Sequence, residues 1–419
     1  MPDTRPASGT VFIMCLIKKM PVAGSTVHKA GWVMVDPQTI IRDGFVRVES
    51  GKISDVGQGR GGPSADRIIQ HGPGVLMPSL VNAHTHLDLC ALEQATDMEA
   101  GFIGWVWSVI QKKEQIEQDA LQDAARRGIE ELKLSGTWIV GDISSSEDSP
   151  RLFLASGLAG VRFQECLGTK SPPDLRCEKI SDTQTLSVAG HAPHTTAPDL
   201  LVRLKSAARK AATPFSVHLA ESLDEVRFLT TCKGPWADFL TMRGIDTSGW
   251  GLAGLSPVRH ADRLGLLDQN TLAVHLVFAD AKDVATLAEK QIHACICPRS
   301  NMNLHKRLPN VPMMIHAGLR LCLGTDSLAS NDSLSLFDEM AFLSRSFPQV
   351  APRDILTMAT ENGARALGFE DWLGRLTPGK MAAMIYVPVS ASGAEQVMEC
   401  LVNDSPVCAP SPLWEKQIE

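Results

Sequence analysis

The chain has 419 residues, 44% of them hydrophobic and 21% charged, and a net charge of −7. Such a length suits one large barrel plus a satellite domain, and the composition is that of an ordinary globular protein. The acidic balance leaves no basic footprint for nucleic acid, and no apolar run reaches the roughly 20 residues that a membrane helix needs.

At the N-terminus, "VFIMCLI" at 11–17 is apolar but short. It lacks the preceding basic segment and the cleavage site of a signal peptide, so it reads as a first strand or a loose leader. The ten cysteines are scattered, without CxxC spacing, as expected of reduced thiols in a cytoplasmic protein. "GWVMVD" and "GFVRVESGKISDVG" alternate apolar and polar residues between Gly and Asp punctuation, and so does the C-terminal "LTPGKMAAMIYVPV". These patterns predict antiparallel strands at both ends of the chain. Between them lie eight apolar runs: "GVLMPSLVNAH", "TWIVGD", "GVRFQE", "TLSVAGH", "FSVHLAE", "TLAVHL", "HACICP" and "LRLCLGTD". Helix-like segments such as "QIEQDALQDAARRGIEELKLSG" and "APDLLVRLKSAARKAA" separate them. Strands alternating with helices imply right-handed crossovers and a parallel sheet. The predicted architecture is α/β: a (β/α)₈ TIM barrel over 77–373, with a small β-sandwich domain formed by residues 1–76 and 374–419.

Chemistry in such a barrel gathers where the strands end. The first run ends at His84 and His86, the fourth at His191, the fifth at His218, the sixth at His275 and the eighth at Asp326. Only 12 histidines exist in the chain, and five of them fall at these ends. His84 and His86 are two apart, so on a strand both imidazoles face the same way. With His218 and Asp326 they offer three nitrogens and a carboxylate, a set that suits one divalent metal, Zn²⁺ first and Fe²⁺ as a substitute. Each histidine alone is equally well read as a core or turn residue; the set is not. Such a metal lowers the pKa of a bound water from 15.7 toward about 7. Glu221, three residues after His218, is placed to shuttle a proton, although an acid there also fits the first turn of a helix. His275 is placed to hold the nucleophile, and Asp326 to pass a proton to the leaving group. The fourth run has no Lys to bridge two metals, which argues for one.

With these residues in place, the sequence resembles the amidohydrolase superfamily, and within it the adenosine-type deaminases. The resemblance rests on "MPSLVNAHTHL", "GHAPHTT", "HLAES", "VHLVFAD", "CPRSNMNL", "LGTDSLASNDSLSLFDEM", "ATENGARALG" and "LTPGKMAAMIYV". It implies a metal on His84, His86, His218 and Asp326, with Glu221 and His275 as the acid/base pair. It also implies that His191 contacts the substrate heterocycle. Two features depart from the pattern: Gly190 and His194 stand where Pro and Tyr are more usual, and "NMNLHKRLPN" lacks a glycine-rich turn.

The expected partner is a small nucleoside, a 5'-modified adenosine, and a homodimer is compatible with the sequence. The nearest likeness is to aminodeoxyfutalosine deaminases of menaquinone biosynthesis, followed by methylthioadenosine/S-adenosylhomocysteine deaminases. Trp105 and Trp107 either cap the pocket or pack helix against barrel. Asp88 and Glu93 either meet ribose hydroxyls or are solvated loop acids. Arg299 either pairs with a substrate carboxylate or forms a structural ion pair. An s-triazine or guanine-type aminohydrolase or chlorohydrolase uses the same attack on an electron-poor ring carbon. A metal-holding barrel without turnover is the non-enzyme alternative, and both Glu221 and His275 speak against it. Fold alone does not choose among these.

Overall fold

The computed structural model describes residues 24–59, 64–146, 149–172, 174–252, 254–403 and 411–412. The apolar run at 11–17 lies outside them. The chain opens with β1 (Ser25–Asp36), β2 (Thr39–Glu49), β3 (Lys52–Gln58) and β4 (Arg67–Pro78). One residue later it enters the barrel with β5 (Leu80–Thr85). The remaining barrel strands are β6 (Thr137–Ser144), β7 (Ala159–Cys166), β9 (Gln184–Gly190), β10 (Phe215–Leu219), β11 (Thr271–His275), β12 (His293–Ile296) and β13 (Arg320–Leu323). The two-residue β8 (Glu178–Lys179) pairs antiparallel with β9. β14 (Met384–Val387) and β15 (Ser411–Pro412) return to the first sheet.

Each of the eight apolar runs overlaps one barrel strand, and β5, β6, β7, β9, β10, β11, β12 and β13 pair in that order. Every residue of β5, β6, β10, β11 and β12 is buried. A parallel strand covered on both faces reads as a continuous apolar run, which is why the runs stood out. The barrel closes between β13 and β5, where the backbone N–H groups of Thr325 and Asp326 both donate to the His84 carbonyl at 3.1 Å. Gly324 makes this approach possible: a Cβ there would lie 2.7 Å from that carbonyl oxygen.

The terminal strands form one six-stranded sheet, ordered β15-β14-β4-β1-β2-β3, in which β1 and β4 run parallel. A sandwich was expected, and a single sheet is what the described residues form. The reason is legible in β1. Val33 and Val35 enter a small core with Val46, Val48, Leu76 and Met384, while Trp32 and Met34 on the opposite face join the main core. With both faces covered, no second sheet is needed.

The helices that matter to the site are α1 (Gly101–Gln115), α2 (Gln118–Leu134), α3 (Ser149–Ala155), α4 (Pro198–Lys210), α5 (Leu223–Thr231), α6 (Pro235–Met242), α7 (Pro257–Arg263), α8 (Ala281–Glu289) and α9 (Pro298–His305). The long stretch between β10 and β11 holds α5, α6 and α7. Among the described residues, no helix is long and apolar enough to cross a membrane.

Candidate active site

The C-terminal ends of β5, β10, β11 and β13 converge on one point. The Nε2 atoms of His84 and His218 lie 3.2 Å apart, and Asp326 Oδ1 lies 3.8 Å from His84 Nε2 and 3.7 Å from His86 Nε2. All four side chains are buried. Burial, reinforced by the neighbouring imidazoles, holds His84 and His218 well below the ordinary histidine pKa, so both present lone pairs rather than charge. Burial works against the Asp326 carboxylate, but His275, His86 and His84 together with the Ser300 hydroxyl bring it down to about 2. The imidazoles of His84, His86 and His218 and the Asp326 carboxylate therefore gather at the barrel mouth. That donor set fits a divalent cation, since imidazole nitrogens with one carboxylate oxygen are ligands that zinc and its neighbours in the first transition row accept.

A layer of polar side chains from α9 and the segment after β13 fixes these groups. Asp326 Oδ2 accepts from Ser300 Oγ at 2.6 Å and from Ser330 Oγ at 3.1 Å. Asn301 Nδ2 stands 2.9 Å from His275 Nδ1 and sets the plane of that ring. The sequence reading did not single out Ser300 or Asn301. They sit in the first turn of α9, and nothing in the spacing of "CPRSN" says that this turn folds over the barrel mouth.

Glu221 follows β10 and carries its carboxylate beside the convergence point. Its Oε1 lies 3.8 Å from His275 Nε2 and 3.4 Å from His305 Nε2. Burial pushes Glu221 up, yet His275 and His305 outweigh it and the net shift is downward. Burial pulls His275 down, and Glu221, the Cys297 thiol and Asp326 reverse this, raising it to about 10. The two shifts share one cause, the attraction between the carboxylate and the imidazole across 3.8 Å. His305, at the end of α9, was also absent from the sequence reading. Its signal was a histidine on an amphipathic helix, which is usually a packed residue. Glu221 itself is positioned by its backbone N–H, which donates to Glu225 Oε2 at 2.8 Å. His194 lies behind this arrangement against Trp236 and Glu225.

The strand exits have a common backbone feature. Ala220, His275, Leu276 and Asp326 all have positive φ, at 50°, 75°, 55° and 59°. None is glycine, and left-handed non-glycine residues concentrate where function imposes the backbone conformation.

A cavity of about 290 Å³ opens over these groups. Its inner end is formed by His86, His218, Glu221, His275 and Asp326, and its apolar wall includes Phe102, Val106, Ile110 and Phe239. His191 lines it too; its Nδ1 is 2.6 Å from Thr195 Oγ1, which leaves Nε2 for a bound molecule. Burial, helped by His194, lowers His191 to about 3. Trp105 both lines the cavity and is fixed by its indole N–H, which donates to the Ala329 carbonyl at 2.9 Å. Asp88 lines it and is paired with Lys113 at 2.8 Å.

Three residues weighed as contacts or as structural groups lie outside the cavity. Arg299 is not at the cavity: as the second residue of α9 it points to the outer side, where its guanidinium pairs with Asp332 and lies 3.9 Å from Asp338. Its role is the structural ion pair. Trp107 packs on Phe239 rather than lining the cavity, and Glu93 is exposed outside it. Among the carboxylates of the lining, one had not been singled out in the sequence. Glu165, near the end of β7, offers a carboxylate oxygen within 4.8 Å of ring nitrogens of His86 and His218. Burial raises its pKa to about 7.

Residues 75–403 match the family model described as "Amidohydrolase family". The chain is 30% identical over 371 residues to a 5-methylthioadenosine/S-adenosylhomocysteine deaminase of Moorella thermoacetica, covering 83% of this chain and 82% of that one. It is 28% identical over 369 residues to a 5'-deoxyadenosine deaminase of Methanothermobacter thermautotrophicus, covering 82% and 81%. The fold is shared with the crystal structure of Helicobacter pylori aminofutalosine deaminase in complex with methylthio-coformycin. The TM-score is 0.79 at 24% identity, over 90% of this chain and 96% of that one.

Proposed function

Because the chain belongs to the amidohydrolase family, we propose that it hydrolyses the exocyclic amino group of a 5'-modified adenosine, giving the inosine-type product and ammonia. One observation carries the reading: the three-imidazole, one-carboxylate cluster lies at the inner end of a nucleoside-sized cavity, with Glu221 and His275 paired beside it. The relatives named for methylthioadenosine, S-adenosylhomocysteine and 5'-deoxyadenosine support the substrate class.

His84, His86, His218 and Asp326 would hold the divalent metal, with zinc as our first choice. Bound there, it supplies the Lewis acidity that makes water a nucleophile at neutral pH. The chain's own residues do the rest. His191, fixed by Thr195, binds the heterocycle and sets its plane. Glu221 takes one proton from the attacking water and delivers it to the ring nitrogen adjacent to the reacting carbon, which turns that carbon into an electrophile. His275, held by Asn301, orients the nucleophile. Asp326 takes the second water proton and passes it to the amino group, which leaves as ammonia. Both protons of water are thus accounted for, and its oxygen becomes the product carbonyl. The apolar wall formed by Phe102, Val106 and Phe239 excludes bulk water and strengthens each of these interactions.

Among 5'-modified adenosines the sequence points first to 6-amino-6-deoxyfutalosine, with menaquinone biosynthesis as its setting. Arg299 gives that choice no support, since it is engaged by Asp332 and Asp338 outside the cavity. The test is direct. Purified, metal-loaded protein is incubated with adenosine, 5'-deoxyadenosine, 5'-methylthioadenosine, S-adenosylhomocysteine and 6-amino-6-deoxyfutalosine, and ammonia is measured. Release from at least one is expected. Release from none refutes the proposal.

A further inference from the structure

Helix α9 reaches both members of the acid/base pair. Asn301 Nδ2 stands 2.9 Å from His275 Nδ1, and His305 Nε2 lies 3.4 Å from Glu221 Oε1. Asn301 and His305 are four residues apart, so they share one side of the helix, a turn from each other. Between them, His275 Nε2 lies 3.8 Å from the same Oε1. Four side chains thus form a closed frame, in which one helix holds two groups supplied by different strand exits. A carboxylate that is to take a proton is only an acceptor, so the His305 nitrogen facing it donates its N–H.

The His305 ring is itself held. Its side chain is 4% exposed and lies against Phe102 and Phe278, with ring centroids 4.9 and 6.2 Å away. It is not among the residues that line the cavity, whereas Glu221 is. Two imidazoles meet Oε1 of Glu221, and among the described residues none bonds Oε2. The last torsion of a glutamate is soft, so a carboxylate without an anchor does not keep its two oxygens in place. We infer that His305 is a positioning residue of the proton shuttle: it fixes Oε1 of Glu221, so that Oε2 is presented to the attacking water and then to the ring nitrogen. The inference rests on the deaminase reading above. His305 stands in "NMNLHKRLPN", the stretch that departs from the related pattern, so this brace belongs to the part of the chain where the resemblance is no guide.

The experiment takes the nucleoside of the panel above that the wild type deaminates fastest. It measures kcat and KM in metal-loaded wild type, His305→Leu and His305→Gln, with the metal content and melting temperature of each. His305→Leu removes the donor, and kcat should fall about tenfold or more while KM stays within about threefold. Metal content should not change. In His305→Gln the side-chain amide puts an N–H near the place of Nε2, and most of the lost kcat should return. Glutamine would not rescue a packing role, so an equal loss in both variants overturns the inference. So does a kcat within about threefold of wild type in His305→Leu, a loss confined to KM, or a loss of metal in step with activity. If His305→Leu does not fold, His305→Asn replaces it: its amide falls one carbon short of the carboxylate and should be slow where His305→Gln is not. A wild type that releases no ammonia from any nucleoside of the panel overturns the deaminase reading and this inference with it. An active wild type that is indifferent to these substitutions overturns the inference alone.

Discussion

Replacing Glu221 by glutamine tests the proton shuttle at a site where shape can be kept while the chemistry is removed. The residue is 5% exposed, and glutamine matches its volume. No cavity opens, and an amide oxygen still accepts from His305 at the observed 3.4 Å. The stability change should stay within about 1 kcal/mol, because the large destabilising mechanisms are absent. The rate should not. A positioned general acid–base is typically worth about 10²–10⁴, or roughly 3–5 kcal/mol at 1.36 kcal/mol per decade. The lost charge also matters to His275. At 3.8 Å and an effective dielectric near 20, the attraction is about 4 kcal/mol. That is about three pKa units, comparable with the rise of His275 from 6.5 to about 10. The variant should therefore lose at least about 10²-fold in kcat, while metal content and melting temperature stay near wild type. Ammonia release, elemental analysis and thermal melts give the three readouts. A kcat within about threefold of wild type would refute the shuttle. Metal loss in parallel with activity would make Glu221 a ligand instead.

Three further outcomes follow from the same geometry. Ser300→Ala removes the shorter of the two hydroxyl bonds on Asp326, and metal affinity measured by chelator competition should fall about 10-fold or more. His293 is buried, and burial, then Arg320 and Arg365, lower it to about 4. Its folded pKa is below the unfolded 6.5, so stability is full above pH 6.5 and is lost as pH falls toward 4; His293→Leu should recover up to about 3 kcal/mol of that loss in denaturant melts at pH 4. Ala220 sits at φ 50° without being glycine, so Ala220→Gly should leave stability unchanged or raise it by up to about 1 kcal/mol, read as melting temperature; a fall of more than 2 kcal/mol would show that its methyl packs favourably.

The barrel and the residues gathered at its mouth were legible because two periodicities coincide. Strands buried on both faces appear as unbroken apolar runs, and polar residues at their ends are conspicuous. His84 and His86 added the two-residue spacing that puts both rings on one face. What stayed hidden depends on contacts that no local pattern encodes. Ser300, Asn301 and His305 act from α9, and their roles follow from how that helix crosses the barrel mouth. Glu165 ends a run like the others, but a carboxylate without a neighbouring motif gives no reason to choose it. Arg299 misled for the opposite reason: a cation at a strand end suggests the cavity, yet the turn of α9 carries it outward to Asp332. In the terminal sheet, β1 is apolar on both faces, and the sequence does not say which face meets the barrel.

The seam between β13 and β5 has a consequence for how the chain folds. The Thr85 hydroxyl bonds the Asp326 carbonyl across 241 residues, and the His84 carbonyl receives the amides of Thr325 and Asp326. These are the longest loops the barrel must close, and their chain entropy is repaid only when every intervening strand is in place. The ligand set is completed by the same step, since His84 and Asp326 come from the two sides of the seam. A metal that binds only the joined edges draws the equilibrium toward the closed ring by mass action. A metal held there would act as a clasp for the barrel, and protein stripped of it should open first along this line.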